Sequence, residues 1–314
     1  MQSATQIIII NYKNWHDTLE CFESLLNLEN KSFSILLVEM CNLDLSRLKI
    51  NQWLNTHPDL KVKMIEVDVN LGFAGANNLA LRYSRENDQS EFYWLLNNDT
   101  VADKYSLDHL IASWFELKNT NRNPAFIGSW VADYDHRGIL QSIGGSVSKW
   151  SGMVKLTGLG LDSSEYHEKG VITTDFVIGA SMFFHRKLIE TIGFMDTGYF
   201  LYFEDVDWCI TARSAGFHNF TNLSSRIFHK QGASTGNKYD KTNFNPATFE
   251  HLHSGYLRFF KKHFPRFVPI ACFMLLKQMA GKIVRRRFPE ARIIRKVMIN
   301  KCFAPINQQV KQSN

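Results

Sequence analysis

Uninterrupted apolar runs alternate with helically spaced apolar residues along the first hundred positions of the chain. Such runs are typical of strands buried on both faces, and recurrence at every third or fourth residue predicts amphipathic helices. Strands are therefore predicted at residues 6–12, 34–40, 62–68 and 91–100, with helices at 15–28, 43–54 and up to about 85. This alternation predicts parallel β-α-β units with right-handed crossovers, and hence a Rossmann-like, doubly wound α/β sheet.

The pattern changes after a further predicted helix at residues 107–117. Residues 126–175 are rich in Gly, Ser and short alternating runs, which favour hairpins and surface loops and predict a mixed sheet with a pocket-covering insertion. Beyond them the pattern predicts a buried strand at 175–185, a short helix at 186–192, a helix from 204 to about 215, a short strand at 226–230 and a flexible segment at 232–237.

The glycine-containing segment at residues 70–78 follows the third predicted strand. Its two glycines, Gly72 and Gly75, are expected to let the backbone approach a ligand. The segment matches neither the G-x-G-x-x-G pattern nor a Walker loop, which disfavours a Rossmann dehydrogenase and a P-loop NTPase.

Composition bounds the class of protein. The 314 residues are 45% hydrophobic and include 24 Phe, enough for a sizeable core. An odd number of scattered cysteines without a C-x-x-C pair argues against a zinc module or a disulfide framework and favours a reducing, cytosolic setting. The first residues lack the basic and apolar regions of a signal peptide. The cysteines are Cys21, Cys41, Cys209, Cys272 and Cys302.

Charge is divided unevenly along the chain. From Arg258 onward there are 14 Lys and Arg against one acid, Glu290, a surplus of 13, so the overall +6 leaves the preceding residues at −7. An acidic main domain argues against a nucleic-acid channel there, and a nucleic-acid binder acting through the tail rests on charge alone. The tail therefore has a separate electrostatic role.

Polar residues follow the apolar strand at Phe92–Leu96 without a gap. Asn97, Asn98 and Asp99 come where the strand would emerge from the sheet. Ligands of open parallel sheets collect at this edge, and a carboxylate there suits a divalent cation. An Asn/Asp turn that simply ends the strand is the alternative interpretation.

Three acids open the helix predicted at residue 204. Glu204, Asp205 and Asp207 suit the positive end of a helix, which gives one or two of them a purely structural explanation. Because Glu204 and Asp205 are consecutive, they point in different directions, and one is expected to face a cleft. His229 ends another predicted strand, where a structural role and a ligand role both remain open.

An ordered set of four motifs carries a family resemblance over roughly residues 5 to 235. The sequence resembles the family 2 glycosyltransferases with the GT-A fold, in particular their bacterial rhamnosyltransferase-like branch. The resemblance implies a catalytic domain at residues 1–240, followed at 241–314 by a basic, amphipathic helical appendage. The motifs are NYKNWHDTLECFESLL, NLGFAGANN, LLNNDT and GASMFFHRKLIETIGFMDTGYFLYFEDVDWCITARSAGF.

The resemblance implies a nucleotide-sugar that lies across the strand ends, with its diphosphate on Mn²⁺ or Mg²⁺ at a D-x-D-type motif. Asp99 is then a metal ligand, and His229 completes the coordination that a single carboxylate leaves short. Glu39 replaces an Asp that reads the pyrimidine in relatives, and Lys13 replaces a usual Asn. The implied nucleotide-sugar contacts are Ile10, Asn11, Tyr12, Glu39, Asn77, Asn97 and Asn98.

The resemblance also implies an inverting transfer. Asp205 is the implied catalytic base for an acceptor hydroxyl, Glu204 orients the acceptor, and Asp207 supports the helix start or a neighbouring cation. The expected reaction transfers a sugar from a nucleotide donor to a saccharide or lipid-linked acceptor in bacterial surface polysaccharide synthesis. The preferred donor is dTDP-rhamnose, ahead of a UDP-sugar. A catalytically silent nucleotide-sugar-binding or membrane-scaffold protein is the alternative, suggested by Asn97 and Glu39.

The tail interleaves aromatic and aliphatic residues with Lys and Arg from residue 256 onward. Its longest uncharged run, residues 267–276, has 10 residues, fewer than the roughly 20 that span a bilayer. Helices that lie on an anionic membrane surface are therefore expected, at the cytoplasmic face of the cell membrane. The alternative is that the tail helices pack on the main domain with their basic faces in solvent.

Overall fold

A computed structural model describes residues 4–40, 45–230 and 244–302. Several sequence-based expectations fall outside these residues. They are the segment at 232–237, the domain boundary at 240/241, the start of the helix predicted at 43, and Cys41, which follows the second strand.

The described chain contains twelve strands, nine α-helices and two 3₁₀ turns at Ser163–Glu165 and Pro265–Phe267. The strands are β1 Thr5–Tyr12, β2 Phe33–Met40, β3 Val62–Val67, β4 Phe92–Leu96, β5 Thr100–Ala102, β6 Pro124–Asp133, β7 Leu140–Ser142, β8 Gly145–Ser148, β9 Met153–Leu156, β10 Val171–Thr174, β11 Ser181–His185 and β12 His218–His229. The helices are α1 Trp15–Leu26, α2 Ser46–Thr56, α3 Gly72–Asn87, α4 Ser106–Asn119, α5 Leu188–Ile192, α6 Glu204–Ser214, α7 Pro246–His263, α8 Val268–Val284 and α9 Phe288–Cys302.

Ten strands form one mixed sheet, which confirms the predicted fold class. The order is β10-β12-β6-β11-β4-β1-β2-β3, with β5 beside β12 and β7 beside β6. Strands β1 to β4 are parallel, β11 runs antiparallel between β4 and β6, and β12 is parallel to β6. The carboxyl ends of β1, β2, β4, β6 and β12 therefore lie at one edge of the sheet.

The central strands are buried on both faces, as their uninterrupted apolar runs predict. On β4, Trp94 packs into one core cluster and Tyr93 into another, and both side chains are fully buried. Successive side chains point to opposite faces of a strand, so the two clusters lie on opposite faces of the sheet. Helix α4 buries Leu107 on one face, and α7 buries Phe259 on the other.

The prediction of hairpins and loops across residues 126–175 is wrong for its first part. Residues Pro124–Asp133 are a fully buried central strand, and Gly128 is needed there because an added Cβ would lie 2.9 Å from the Val177 side chain. The glycine and serine that suggested a loop are thus packing requirements. Strands β8 and β9 do form the predicted hairpin.

Two predicted strand lengths also differ from the structure. Only Ser181–His185 of residues 175–185 is a strand, and the strand predicted at 226–230 is the end of the twelve-residue β12. Polar residues concealed β12, but the amide nitrogens of two of them are buried and bonded: Asn219 donates to the carbonyl oxygens of Asp175 and Cys209, and Asn222 donates to that of His109. Such bonds lower the cost of burying an amide.

The first C-terminal helix is part of the core. Leu257, Phe259 and Phe260 of α7 are fully buried in the cluster that contains Tyr93. The Arg258 guanidinium also pairs with Asp196, 2.9 Å away. For α7, the packed arrangement that the sequence left as an alternative is therefore present.

Helix α8 is different. Pro265–Val284 is a 20-residue segment that contains an 18-residue window with mean hydropathy 1.5, of which 11% is buried, and by length and composition alone it could cross a membrane. The ten-residue uncharged run ends at Lys277, but the apolar residues that follow Lys277 extend the apolar length of this segment beyond that run. The expectation that the tail lies on a membrane surface stays a prediction. A single helix of this kind is weak evidence for a span, since length and composition also fit a surface helix.

Candidate active site

Strand pairing brings the end of β4 to the end of β12. After β4, the short strand β5 pairs with β12 so that Thr100 lies opposite His229. The Lys230 backbone N–H donates to the Asp99 carbonyl oxygen over 3.0 Å. The topology therefore places Asp99 and His229, which are 130 residues apart in sequence, side by side at the carboxyl edge of the sheet.

Asp99 and His229 form a buried pair. The His229 Nε2 atom lies 3.1 Å from Asp99 Oδ1, and the two residues are 9% and 7% exposed. Burial raises the pKa of the Asp99 carboxyl, but the charge and hydrogen bond of His229 outweigh it and hold that pKa below its usual value. The carboxylate is therefore kept in its charged, ligand-competent form.

Gln141 determines the orientation of the His229 ring. Its amide nitrogen lies 2.7 Å from the His229 carbonyl oxygen and 3.3 Å from Asp133 Oδ2, two acceptors that require a donor. The amide oxygen must then face His229 Nδ1, which is 2.8 Å away and donates to it. With the Nδ1 proton held in this bond, the Nε2 atom is the one directed at Asp99. Sequence reasoning missed Gln141, which carries no motif signal.

The donor set at this point fits a divalent cation. A carboxylate oxygen suits Mg²⁺ and Mn²⁺, and an imidazole nitrogen shifts the preference toward Mn²⁺. Residues 4–40, 45–230 and 244–302 contain no group of three or more His, Cys, Asp or Glu that could hold a metal. Asp99 and His229 would thus supply two ligands and leave positions for phosphate oxygens and water. Asn97 Nδ2 lies 3.4 Å from His229 Nε2, at the rim of the same site.

Helix α6 begins in a strained turn. Tyr202 and Phe203 have φ values of +69° and +73°, which residues other than glycine rarely adopt. The turn is held by α7, because Gly255 packs so closely that an added Cβ would lie 2.8 Å from the Tyr202 carbonyl oxygen. Strain of this kind persists only where the surroundings enforce it, and it fixes the direction of the next two side chains, Glu204 and Asp205.

Glu204 is buried and Asp205 is half-buried, and the pKa values of both carboxyls are raised. For Glu204, burial is the largest cause and the charge of Asp205 adds to it, which raises the pKa well above the usual value. Its Oε2 atom has no hydrogen-bond partner in the described part of the chain. Burial also raises the pKa of Asp205, although backbone N–H groups of Gly179 and Val206 donate to its two oxygens over 2.8 and 2.7 Å.

A two-residue segment links the acids of α6 to the end of β4. The Gly179 N–H donates to Asp205 Oδ2, and the carbonyl oxygen of the next residue, Ala180, accepts from the Asn97 N–H over 3.1 Å. Asp205 and the Asn97–Asp99 segment therefore lie close together, on either side of residues 179 and 180. That the Asp99 and Asp205 side chains face one common ligand stays a prediction.

Asp207 has a structural role. It is 1% exposed, accepts from the Tyr199 hydroxyl over 3.0 Å, and pairs with Lys262 and His263 at 2.6 and 2.8 Å. Burial raises the pKa of the Asp207 carboxyl, but these partners on α7 hold it below its usual value. Of the two roles expected from sequence, the structure shows the neighbouring-cation role.

Three of the predicted nucleotide contacts bond to one another. The Asn11 amide donates to Glu39 Oε2 over 2.7 Å, and Asn11 Oδ1 accepts from Thr18 Oγ1 at 3.0 Å and from Asn98 Nδ2 at 3.1 Å. Asn98 also donates to the Asn14 carbonyl oxygen. These buried side chains join the ends of β1, β2 and β4, and direct contact between them and a nucleotide stays a prediction.

The remaining predicted contacts lie at the same edge. Ile10 and Tyr12 are half-buried at the end of β1, and Asn77 is buried with its amide donating to the Phe73 carbonyl oxygen over 3.0 Å. Asn78, which sequence reasoning did not single out, is bonded at both amide atoms to the Met195 backbone. Only its position after Asn77 in the motif could have indicated it.

The prediction that Gly72 admits a ligand is wrong. Its φ is +68°, and an added Cβ would lie 2.4 Å from the Phe200 carbonyl oxygen, which accepts from the Phe73 N–H over 3.0 Å. The glycine is needed so that α3 can approach the chain's own loop before α6. It contributes to the site indirectly, by positioning that loop.

A second basic residue, Lys230, follows the candidate metal ligand His229 in the sequence. The Lys230 ammonium pairs with Asp17 over 2.5 Å and with Glu20, both on α1. Burial lowers its pKa, but these hydrogen bonds outweigh burial and raise it. Sequence reasoning missed this residue, although two acids three positions apart on α1 were an available signal.

A cavity of about 410 Å³ lies apart from these acids. Phe228 lines it, whereas His229 follows in the strand and so points to the opposite face of the sheet. Its other lining residues are Trp130, Arg137, Ser163, Tyr166, Glu168, Lys169, Gly170, Leu223, Ser224 and Arg226.

The chain is similar in sequence to known proteins. Residues 6–193 match the family model for glycosyl transferase family 2. The low-salt glycan biosynthesis hexosyltransferase Agl10 of Haloferax volcanii is 25% identical over 215 residues, which cover 68% of this chain and 62% of that protein. The chain thus spans less than two thirds of this relative.

Solved structures show the same fold at lower identity. A mannosyltransferase from Pyrobaculum calidifontis in complex with GDP-Man and Mn²⁺ is 13% identical, with a TM-score of 0.60, covering 96% of this chain and 88% of that one. The TarS 1-349 structure from S. aureus with UDP-GlcNAc is 13% identical, with a TM-score of 0.57, covering 95% and 80%. At these identities the likeness shows a shared GT-A fold.

Proposed function

The chain belongs to glycosyl transferase family 2, and from this premise we propose that it is a metal-dependent, inverting hexosyltransferase that uses a nucleotide-sugar donor. The observation that carries the proposal is the meeting of two unlike acidic centres at one sheet edge, Asp99 with His229 and Glu204 with Asp205. One centre is suited to hold a cation and the other to accept a proton.

Asp99 and His229 would hold Mn²⁺ or Mg²⁺, whose charge stabilises a departing diphosphate. The donor set supports this, and the mannosyltransferase neighbour was solved with GDP-Man and Mn²⁺. Asn97, at the rim of the pair, would contact the ribose or sugar. Ile10, Tyr12 and Asn77 would contact the nucleotide at the strand ends.

Asp205 would act as the catalytic base. An acceptor hydroxyl is a weak nucleophile until a positioned carboxylate removes its proton as the new C–O bond forms at the anomeric carbon. Attack from the side opposite the diphosphate breaks the bond to the leaving oxygen and inverts the configuration. The raised pKa of Asp205 supports this role, because it makes the carboxylate a better proton acceptor near neutral pH. Glu204 would orient the acceptor.

For the donor, we propose dTDP-rhamnose ahead of a UDP-sugar. Support comes from the rhamnosyltransferase-like motif order and from Glu39, which offers an acceptor for a pyrimidine N3–H. Glu39 is buried and receives the Asn11 amide, so base reading would involve this bonded pair together.

For the acceptor, we propose a saccharide or lipid-linked intermediate of surface polysaccharide synthesis, met at the cytoplasmic face of the membrane. The basic C-terminal helices support a location on an anionic surface. A lipid-linked acceptor and a surface-bound enzyme would then both diffuse in the plane of the membrane, where they meet more often.

A thermal-shift screen with turnover assays tests the proposal. Purified protein with Mn²⁺ or Mg²⁺ should be stabilised by one class of nucleotide-sugar and should slowly hydrolyse it without acceptor. If no dTDP-, UDP- or GDP-sugar binds or turns over with either metal, the proposal fails. Binding without any hydrolysis or transfer would instead support the alternative, a catalytically silent binder, which the amide at Asn97 favours.

A further inference from the structure

The exposed face of α8 is apolar along its length. Phe273, Leu276, Ile283 and Val284 are 64%, 46%, 47% and 83% exposed. At about 100° per residue, these positions fall within an arc of about 100° on one side of the helix. The buried residues of α8 point the other way, so the helix is packed on one side and bare on the other. A contiguous apolar surface that is exposed to water marks an interaction site.

The tip of the β8–β9 hairpin adjoins this face. Trp150 is 73% exposed, and its ring meets that of Phe267, just before α8, edge to face with centroids 4.8 Å apart. The Lys149 ammonium lies 5.5 Å from both rings. The hairpin is fixed there because the Tyr256 hydroxyl of α7 donates to the Gly152 carbonyl oxygen over 2.7 Å. Hairpin tip and α8 therefore form one continuous surface.

Cations surround this surface. None of these rim cations forms an ion pair with an acid in the described part of the chain. The two acids of residues 244–302 pair with other cations: Glu250 with Lys296, and Glu290 with Lys282 and Arg287. An apolar face with a basic rim complements an anionic lipid surface. A second copy of the chain would bring like charges together. The rim residues are Lys149, Arg266, Lys277, Arg285 and Arg286.

We propose that the hairpin tip and α8 together lie on an anionic bilayer, with the Trp150 ring at the level of the lipid headgroups and α8 parallel to the membrane plane. Tryptophan prefers this depth because its ring is apolar with one polar edge. This placement rests on the membrane location in the proposed function and adds the β8–β9 hairpin to the C-terminal helices as a lipid-contacting segment. The same helix α7 carries Tyr256 and the cations that hold Asp207, so the membrane surface is rigidly connected to α6.

Vesicle partitioning of the full-length chain tests this surface without requiring turnover. The protein should co-sediment with phosphatidylcholine vesicles that contain phosphatidylglycerol, and much less with phosphatidylcholine alone. Trp150→Ala should weaken partitioning about fivefold or more, and Arg286→Gln about fivefold, the value of one cation near such a surface. Both residues are exposed, so the fold is preserved.

Tyr105→Ala is a matched control. Tyr105 is 49% exposed on the opposite face of the sheet and has the Lys104 ammonium 5.2 Å from its ring, so this variant should partition like wild type. An equal effect of Tyr105→Ala and Trp150→Ala, or no preference for anionic vesicles, overturns the proposal. Resistance to extraction at high pH overturns it in favour of a spanning α8. Transfer to a water-soluble acceptor, measured separately, reports on the proposed function alone.

Discussion

Two acidic centres at one edge of the sheet have opposite electrostatics. Asp99 lies against His229, and this neighbour holds the pKa of its carboxyl below the usual value. Glu204 is buried and Asp205 half-buried, neither pairs with a cation of the described residues, and desolvation raises the pKa of both carboxyls. Burial has the same sign everywhere, so the neighbours decide whether a carboxyl stays charged or accepts a proton.

The largest effect is expected from Asp99→Ala. Loss of the carboxylate should abolish metal-dependent donor binding and lower turnover about 10³-fold or more, since metal charge contributes several kcal/mol at the leaving group. Calorimetric titration of the donor with and without Mn²⁺ measures the first effect and initial rates the second. Normal metal-dependent binding in this variant would move the metal site elsewhere.

Asp205→Asn should separate chemistry from binding. The amide oxygen can still accept from the Gly179 N–H, so the loop is kept, but no base remains, and kcat should fall about 10²- to 10⁴-fold with donor affinity unchanged. In wild type, the rate should fall as pH drops through the raised pKa of Asp205, at higher pH than for an ordinary aspartate. Loss of donor binding along with kcat would reassign Asp205 to binding.

Gln141→Leu tests how His229 is held. Without the amide, the Nδ1 proton is no longer fixed, and Mn²⁺ affinity should fall about 10- to 100-fold, as for other residues that orient a metal ligand. Metal titration monitored by the EPR signal of free Mn²⁺ gives this directly. Asn222→Leu, on the strand β12 that carries His229, is the control. The Asn222 amide bonds to α4, so this variant should be less stable than wild type but have the same Mn²⁺ affinity. Equal affinities for wild type and Gln141→Leu would contradict the assignment.

Glu204→Gln should have the smallest effect, on stability. A carboxyl whose pKa is raised by folding contributes stability below its unfolded pKa, near 4.5, and loses that contribution as pH rises through the folded value. At pH 8 the wild type therefore bears the cost of ionising this group, and the amide does not. The melting temperature should rise in the variant at pH 8 and change little at pH 4. A decrease at pH 8 would show that the charged form is stabilised by an interaction outside the described residues.

Much of the fold could be predicted because its signals are local. The run of apolar residues in Phe92–Leu96 and the helical spacing that begins at Trp15 depend only on neighbours in the chain, and they predicted the β-α-β half correctly. Residues 124–133 and 218–229 could not be predicted in full. Their Gly, Ser and Asn positions are acceptable inside a sheet only because distant partners, such as Val177 above Gly128, fill the space or the hydrogen bonds.

The sequence by itself determined the strand-helix alternation, the basic tail, and the acids near residues 99 and 205, since each depends on side-chain chemistry and short-range periodicity. Tertiary structure alone decided which neighbour each acid has: β5–β12 pairing brings His229 to Asp99, Gln141 orients that ring, and α7 occupies Asp207. The physical reason is that a carboxyl's pKa and its ability to hold a cation depend on groups within a few ångströms, whose positions in the sequence are 55 to 130 residues away.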